Sequence, residues 1–140
     1  LLPPRPVEDF VGQTCVAELL KSKHVHVGPE GDVFPGVCSG ILLGNARTEP
    51  MDRMWCRLEE HWQDQPILAR LIEEGPVALY RLALQHGYEP IARGYAHKCH
   101  LCTHVRRYLF QTGVWTGHLG PAALYPPDPP TFLNTPITTP

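Results

Sequence analysis

The sequence has no long apolar run, no excess of basic charge and no secretion-signal pattern. No apolar stretch reaches the roughly 18 residues that a bilayer-crossing helix requires, so we expect no membrane span. The 140 residues carry a formal charge of −2, and charged residues make up only 19% of the chain. That balance does little to attract phosphate backbones or acidic lipids, so we expect neither nucleic acid nor membrane as a partner.

The start of the chain, Leu1-Leu2-Pro3-Pro4, lacks Met and lacks the segments of a signal peptide. We interpret it as a cut within a longer protein, and we expect a cytoplasmic location. Hydrophobic residues make up 43% of the chain, which suits one globular domain with a modest core. Five cysteines without a secretion signal are more often metal ligands or free thiols than disulfides.

Two periodicities predict the fold class. A β-hairpin is predicted over residues 24–34. Histidine and valine alternate over 24–27, a turn rich in glycine and proline follows, and residues 32–34 return. Apolar residues at spacings of three and four, with proline at the first turn and glycine past the end, predict about four helices. These helices begin near Pro50, Pro66, Pro76 and Cys99. We therefore expect an α+β fold, with an N-terminal β-hairpin followed by the helices.

Proline placement suggests how the chain divides. Many of the 16 prolines lie towards the C-terminus, where the composition does not favour regular structure. We predict a linker over 1–10, a folded metal- or cluster-binding domain over 11–117, and a disordered Pro-rich tail over 118–140. Apolar residues that the cut leaves uncovered are expected on the hairpin or around Val7 to Phe10.

The Cys-x-x-Cys motif of Cys99 and Cys102 is the most informative feature of the chain. Its cysteines stand one turn apart at a predicted helix start, so both sulfurs point to one side and the positive helix end favours the thiolate. Cys15 precedes the hairpin and Cys38 follows it, so the hairpin returns the second thiol towards the first. Four thiolates gathered in this way suit a structural zinc ion or an iron–sulfur cluster.

Other interpretations of these residues stay open. The Cys-x-x-Cys pair could be a redox dithiol or have no role, although a glycine-rich loop precedes it where a thioredoxin-like site needs a strand. His97 is a possible ligand, whereas His100 and His104 fall off the face that carries the sulfurs. Cys56 lies within a predicted helix, and we expect a core or groove thiol there. We expect Arg106 on a solvated helix face.

The order of these motifs resembles the C-terminal accessory region of radical SAM enzymes, the SPASM and twitch domains. These domains carry a first cysteine, a glycine in a hairpin turn, a second cysteine after the returning strand, and then a Gly-Asn turn before a helix. This chain is similar, with the corresponding residues Cys15, Gly31, Cys38 and Gly44-Asn45 in the same order. The later segment 94–102, with Arg106, resembles the closing part of an uncharacterised radical SAM group. The resemblance covers residues 15 to about 110.

This resemblance implies one auxiliary [4Fe–4S] cluster, held by Cys15, Cys38, Cys99 and Cys102, for substrate positioning or electron relay. The partner would be a radical SAM barrel in cis or in trans, together with the peptide or other substrate of that enzyme. The Cys-x₃-Cys-x₂-Cys signature is absent, so S-adenosylmethionine would bind only in the missing barrel, and we expect the chain alone not to be catalytic. A full SPASM domain uses seven cysteines for two clusters, so four candidates fit the twitch type.

Two alternatives to this interpretation remain. The same four thiolates could bind Zn²⁺ in a structural Cys₄ module that mediates protein–protein contact and has no redox activity. The chain could also be a metal-free helical domain with incidental cysteines. No Ser-His-Asp or paired-carboxylate motif indicates another chemistry.

Overall fold

The computed structural model describes residues 3–127 and confirms the predicted α+β architecture. An antiparallel sheet in the order β1-β2-β3 comes first, formed by Val25–Val27, Asp32–Pro35 and Gly44–Asn45. Four α-helices follow, α1 to α4, formed by Met51–Glu59, Pro66–Glu73, Pro76–Gln85 and Lys98–Gln111. No helix of the described range is long and apolar enough to cross a membrane.

The β-hairpin forms in the predicted place and returns the chain over itself. Val25 pairs with Pro35 and Val27 with Val33, which sets the register of β1 and β2. Gly31 turns the chain at φ 92°, in a region that glycine enters without strain. The sequence indicates only a short apolar segment after the hairpin, whereas in the structure this segment ends in the third strand, β3.

Proline at the first turn explains the starts of two helices. Pro66 opens α2, and the side chain of Gln65 caps it by accepting hydrogen bonds from the backbone N–H groups of Ile67 and Leu68 at 2.6 and 2.8 Å. Pro76 opens α3 after the two residues that follow the end of α2 at Glu73. The first helix ends at Glu59, and a short 3₁₀ turn follows at Trp62–Asp64.

One core draws side chains from every part of the described chain, and it changes two predicted boundaries. Phe10 is 0% exposed within a 3₁₀ helix at Val7–Phe10, so this part of the predicted linker belongs to the folded core. Tyr125 is 5% exposed and stacks on Phe110 with ring centroids 5.0 Å apart. The predicted tail therefore begins later than residue 118, and its part from 128 to 140 lies outside the described residues.

Candidate metal centre

Cys15 lies two residues before a short π-helical segment, Ala17–Lys21, that the sequence patterns do not predict. The cysteine is buried, and its backbone N–H donates to the carbonyl of Leu71 at 2.9 Å. The carbonyl of Cys15 in turn accepts from the N–H of Leu19 at 3.0 Å. These contacts hold the first thiol against α2.

Cys38 lies in the loop after β2, and a glycine brings this loop against the Cys15 segment. Gly36 has φ 53°, and a side chain there would collide with the backbone oxygen of Glu18. Only glycine therefore allows so close an approach in this conformation. Cys38 itself is half-buried, and its N–H donates to the carbonyl of Pro35 at 3.0 Å.

Cys99 and Cys102 occupy the first turn of α4. His97 caps this helix, because its Nδ1 accepts a hydrogen bond from the N–H of Cys99 at 3.1 Å. Cys102 is buried, whereas Cys99 is exposed. The pair therefore spans the boundary between the core and the solvent.

Lys98 joins the start of α4 to the Cys15 segment. Its Nζ lies 2.6 Å from Oε1 of Glu18 and donates to the carbonyl of Thr14 at 2.7 Å. Burial raises the pKa of Glu18, but the hydrogen bond and charge of Lys98 outweigh burial and lower it overall. Because Thr14 precedes Cys15 and Lys98 precedes Cys99, this contact brings the two cysteine segments together.

Arg106 joins α4 to the Cys38 loop from the interior, contrary to the solvated position expected for it. The residue is only 8% exposed. Its Nε donates to Sγ of Cys102 at 3.3 Å, and its Nη1 donates to the carbonyl of Ser39 and the hydroxyl of Tyr125, each at 2.8 Å. Burial lowers the pKa of Arg106, but its interactions with Cys102 and Tyr125 outweigh burial, so the pKa is raised and the side chain stays charged.

The four predicted ligands influence one another electrostatically. Burial raises the pKa of Cys15, and the charges of Cys102 and Cys38 raise it further. Burial, followed by the charges of Cys102 and Cys99, raises the pKa of Cys38 to about 12. Burial and Cys102 also raise the pKa of Cys99, so the thiolate that the helix start was expected to favour is not favoured in the metal-free chain.

The spacing of the four sulfurs is wider than that around a single metal ion. Within residues 3–127, no three of these sulfurs lie within 4.8 Å of one another. All five cysteines are free thiols. The four thiols of the described chain therefore form neither a ready tetrahedral zinc site nor a formed cluster-binding arrangement.

The remaining cysteine and histidines have other partners. Cys56 lies on α1, where its Sγ donates to Oε2 of Glu60 at 3.4 Å, and the other four thiols do not affect its pKa. The Nε2 atoms of His100 and His104 lie 3.0 Å apart, and both rings pack edge-on against Tyr95. These two histidines are therefore engaged with each other and with an aromatic ring.

The sequence interpretation missed the basic residues of the site. Lys98 received no role in it, and Arg106 was expected in solvent. The available signal was position, since Lys98 stands one residue before Cys99 and Arg106 stands four residues after Cys102.

No protein-family model, curated protein or solved structure matches this chain.

Proposed function

We propose that this chain is an accessory domain of a radical SAM enzyme and holds one [4Fe–4S] cluster through Cys15, Cys38, Cys99 and Cys102. The observation that carries the proposal is the buried guanidinium of Arg106. Among residues 3–127 its hydrogen-bond partners are a cysteine sulfur, a carbonyl and a hydroxyl, and it forms no ion pair with a carboxylate. A buried cation requires a nearby anion.

Metal-bound thiolates would supply that anion. Four thiolates around an iron–sulfur core or a Zn²⁺ ion carry a net negative charge, and hydrogen bonds to their sulfurs tune such sites. Metal binding also removes the thiol protons that burial otherwise retains at Cys15 and Cys38. Arg106 would then neutralise part of this charge, whereas the charge of Lys98 is already paired with Glu18.

A single zinc ion needs the sulfurs closer together than the described chain holds them. Four sulfurs around one zinc ion stand about 3.8 Å apart, given Zn–S bonds of about 2.3 Å in a tetrahedron. A [4Fe–4S] cluster accepts wider spacing, because each cysteine binds a different iron atom. In the described range, no three of the four sulfurs lie within 4.8 Å of one another, so no zinc site is preformed. A structural zinc module remains the alternative, because its thiolate ligands are the same.

The proposed role is electron relay or substrate positioning for a cytoplasmic radical SAM barrel, in cis or in trans. The sequence lacks the Cys-x₃-Cys-x₂-Cys motif, and four thiolates leave no open position on a closed site, so the chain alone is not expected to cleave S-adenosylmethionine. The exposed Cys99 supports a cluster that comes nearest to the surface there. Val27 on the hairpin and Val37 beside Cys38 are more than half exposed, which suits a docking face for the barrel.

The proposal is tested by replacing each cysteine with serine and reconstituting the full chain anaerobically with iron and sulfide. Cys102→Ser and Cys15→Ser are expected to lose most of the bound iron and the absorption near roughly 400 nm that accompanies an iron–sulfur cluster. Cys56→Ser is the matched control and is expected to keep the cluster absorption and the iron of the cluster. Equal iron in all variants, or none in the parent chain, would exclude the cluster.

A further inference from the structure

A second group of metal-ligating side chains lies at the end of α1, and it includes none of the four thiols described above. Cys56, Glu60 and His61 each offer one donor atom, and these three atoms lie within 4.8 Å of one another. Elsewhere in the described chain, no three His, Cys, Asp or Glu residues come together so closely.

The helix end itself produces this arrangement. Cys56 and Glu60 are four residues apart, so both side chains project from the same face of α1. The N–H of Glu60 donates to the carbonyl of Cys56 at 2.9 Å, so Glu60 is the C-cap that follows the last helical residue, Glu59. His61 then leaves the helix with φ −127° and ψ 24°, and its ring nitrogen comes within reach of the other two donors.

The donor chemistry suits a borderline-soft dication. A thiolate sulfur, a carboxylate oxygen and an imidazole nitrogen are the three ligand types that Zn²⁺ accepts in proteins. Asp64 adds a second carboxylate, with its Oδ2 3.9 Å from Nδ1 of His61. The hydrogen bond to Glu60, then the charges of Glu60 and Asp52, help to raise the pKa of Cys56, so the local field is one that attracts a cation.

We propose that Cys56, Glu60 and His61 bind one divalent transition-metal ion of the zinc class, separately from the proposed cluster. On binding, the thiol of Cys56 releases its proton to solvent, and its hydrogen bond to Glu60 gives way to bonds from both residues to the metal. Three protein donors leave a fourth position for water. His61 also lines a cavity of about 780 Å³, so the site stands at the edge of a space that could hold a small ligand.

The test follows the reactivity of Cys56 alone, so metal binding by the other cysteines does not interfere. The full chain, purified anaerobically, is alkylated with iodoacetamide with and without added Zn²⁺, and the Cys56 peptide is quantified by mass spectrometry. Zn²⁺ is expected to slow this alkylation by about tenfold or more, because the metal-bound sulfur is a poorer nucleophile than the free thiolate.

Two substitutions separate a three-ligand site from binding to sulfur alone. His61→Ala and Glu60→Gln are each expected to raise the Zn²⁺ concentration needed for protection by about tenfold or more. Even loss of a group that only supports a metal ligand lowers metal affinity by about that factor. His26→Ala and Glu73→Gln change exposed residues elsewhere and are expected to leave protection unchanged. The proposal is overturned if Zn²⁺ does not protect Cys56 in the parent chain, or if His61→Ala and Glu60→Gln keep full protection. All five proteins are first compared by circular dichroism to establish equal folding.

Discussion

Replacing Arg106 with methionine removes the buried charge while keeping most of the apolar side-chain volume. Arg106 donates three hydrogen bonds, to Cys102, Ser39 and Tyr125, and each hydrogen bond from a charged donor is worth about 1.5–3 kcal/mol. Avoiding the burial of a guanidinium offsets part of this loss. We therefore expect Arg106→Met to lower the free energy of unfolding by about 3 kcal/mol.

The assay is anaerobic urea denaturation of the parent chain and the variant, with and without reconstituted iron and sulfide. The loss is expected to be larger in the reconstituted protein, because the variant leaves thiolate charge buried without its cation. Arg81→Met is the control, since Arg81 forms only an exposed ion pair with Glu74 at 3.2 Å, and its removal should cost less than about 1 kcal/mol. A change below about 0.5 kcal/mol for Arg106→Met in both states would refute the role given to this residue.

Two further predictions concern the approach of the cysteine segments. Gly36→Ala is expected to destabilise the chain by about 3 kcal/mol in thermal or urea unfolding, through left-handed strain and collision with Glu18, and to reduce iron uptake. Gly12→Ala, also at positive φ but with open space around it, should cost only the strain of about 1–2 kcal/mol, and an equal loss in both variants would contradict the close approach. The metal-free chain should lose stability as pH rises above the ordinary thiol value of 9.0 towards the pKa of about 12 at Cys38, because unfolding frees that thiol to ionise. Denaturation midpoints measured from pH 8 to about 11 check this prediction. It would be contradicted if the midpoint of a Cys38→Ser variant fell with pH as steeply as that of the parent chain.

Local sequence patterns predicted the secondary-structure elements that depend on residues close together in the chain. The alternation around Val25 and the glycine of the hairpin turn specify the two strands, and Pro66 and Pro76 specify where α2 and α3 begin. The four helices and the hairpin therefore follow from periodicity and turn residues alone. The short segment Ala17–Lys21 carries no such signal and was missed.

Features that depend on distant contacts were not predictable in the same way. Arg106 is buried because Ser39 and Tyr125, far away in the chain, supply acceptors for its guanidinium. Tyr125 lies in a proline-rich stretch whose composition indicates disorder, yet its ring stacks on Phe110. The approach of the Cys38 loop to the backbone of Glu18 likewise depends on Gly36, and the need for glycine there becomes visible only in the folded chain.

The identity of the metal in the natively purified chain tests the central claim most directly. The protein is purified under strict exclusion of oxygen, and iron, acid-labile sulfide and zinc are measured per chain. The cluster proposal predicts about four iron and four sulfide, lost on Cys102→Ser, whatever zinc is bound at Cys56. One zinc per chain that disappears on Cys102→Ser, with no iron or sulfide, would contradict the cluster and establish the structural zinc module instead.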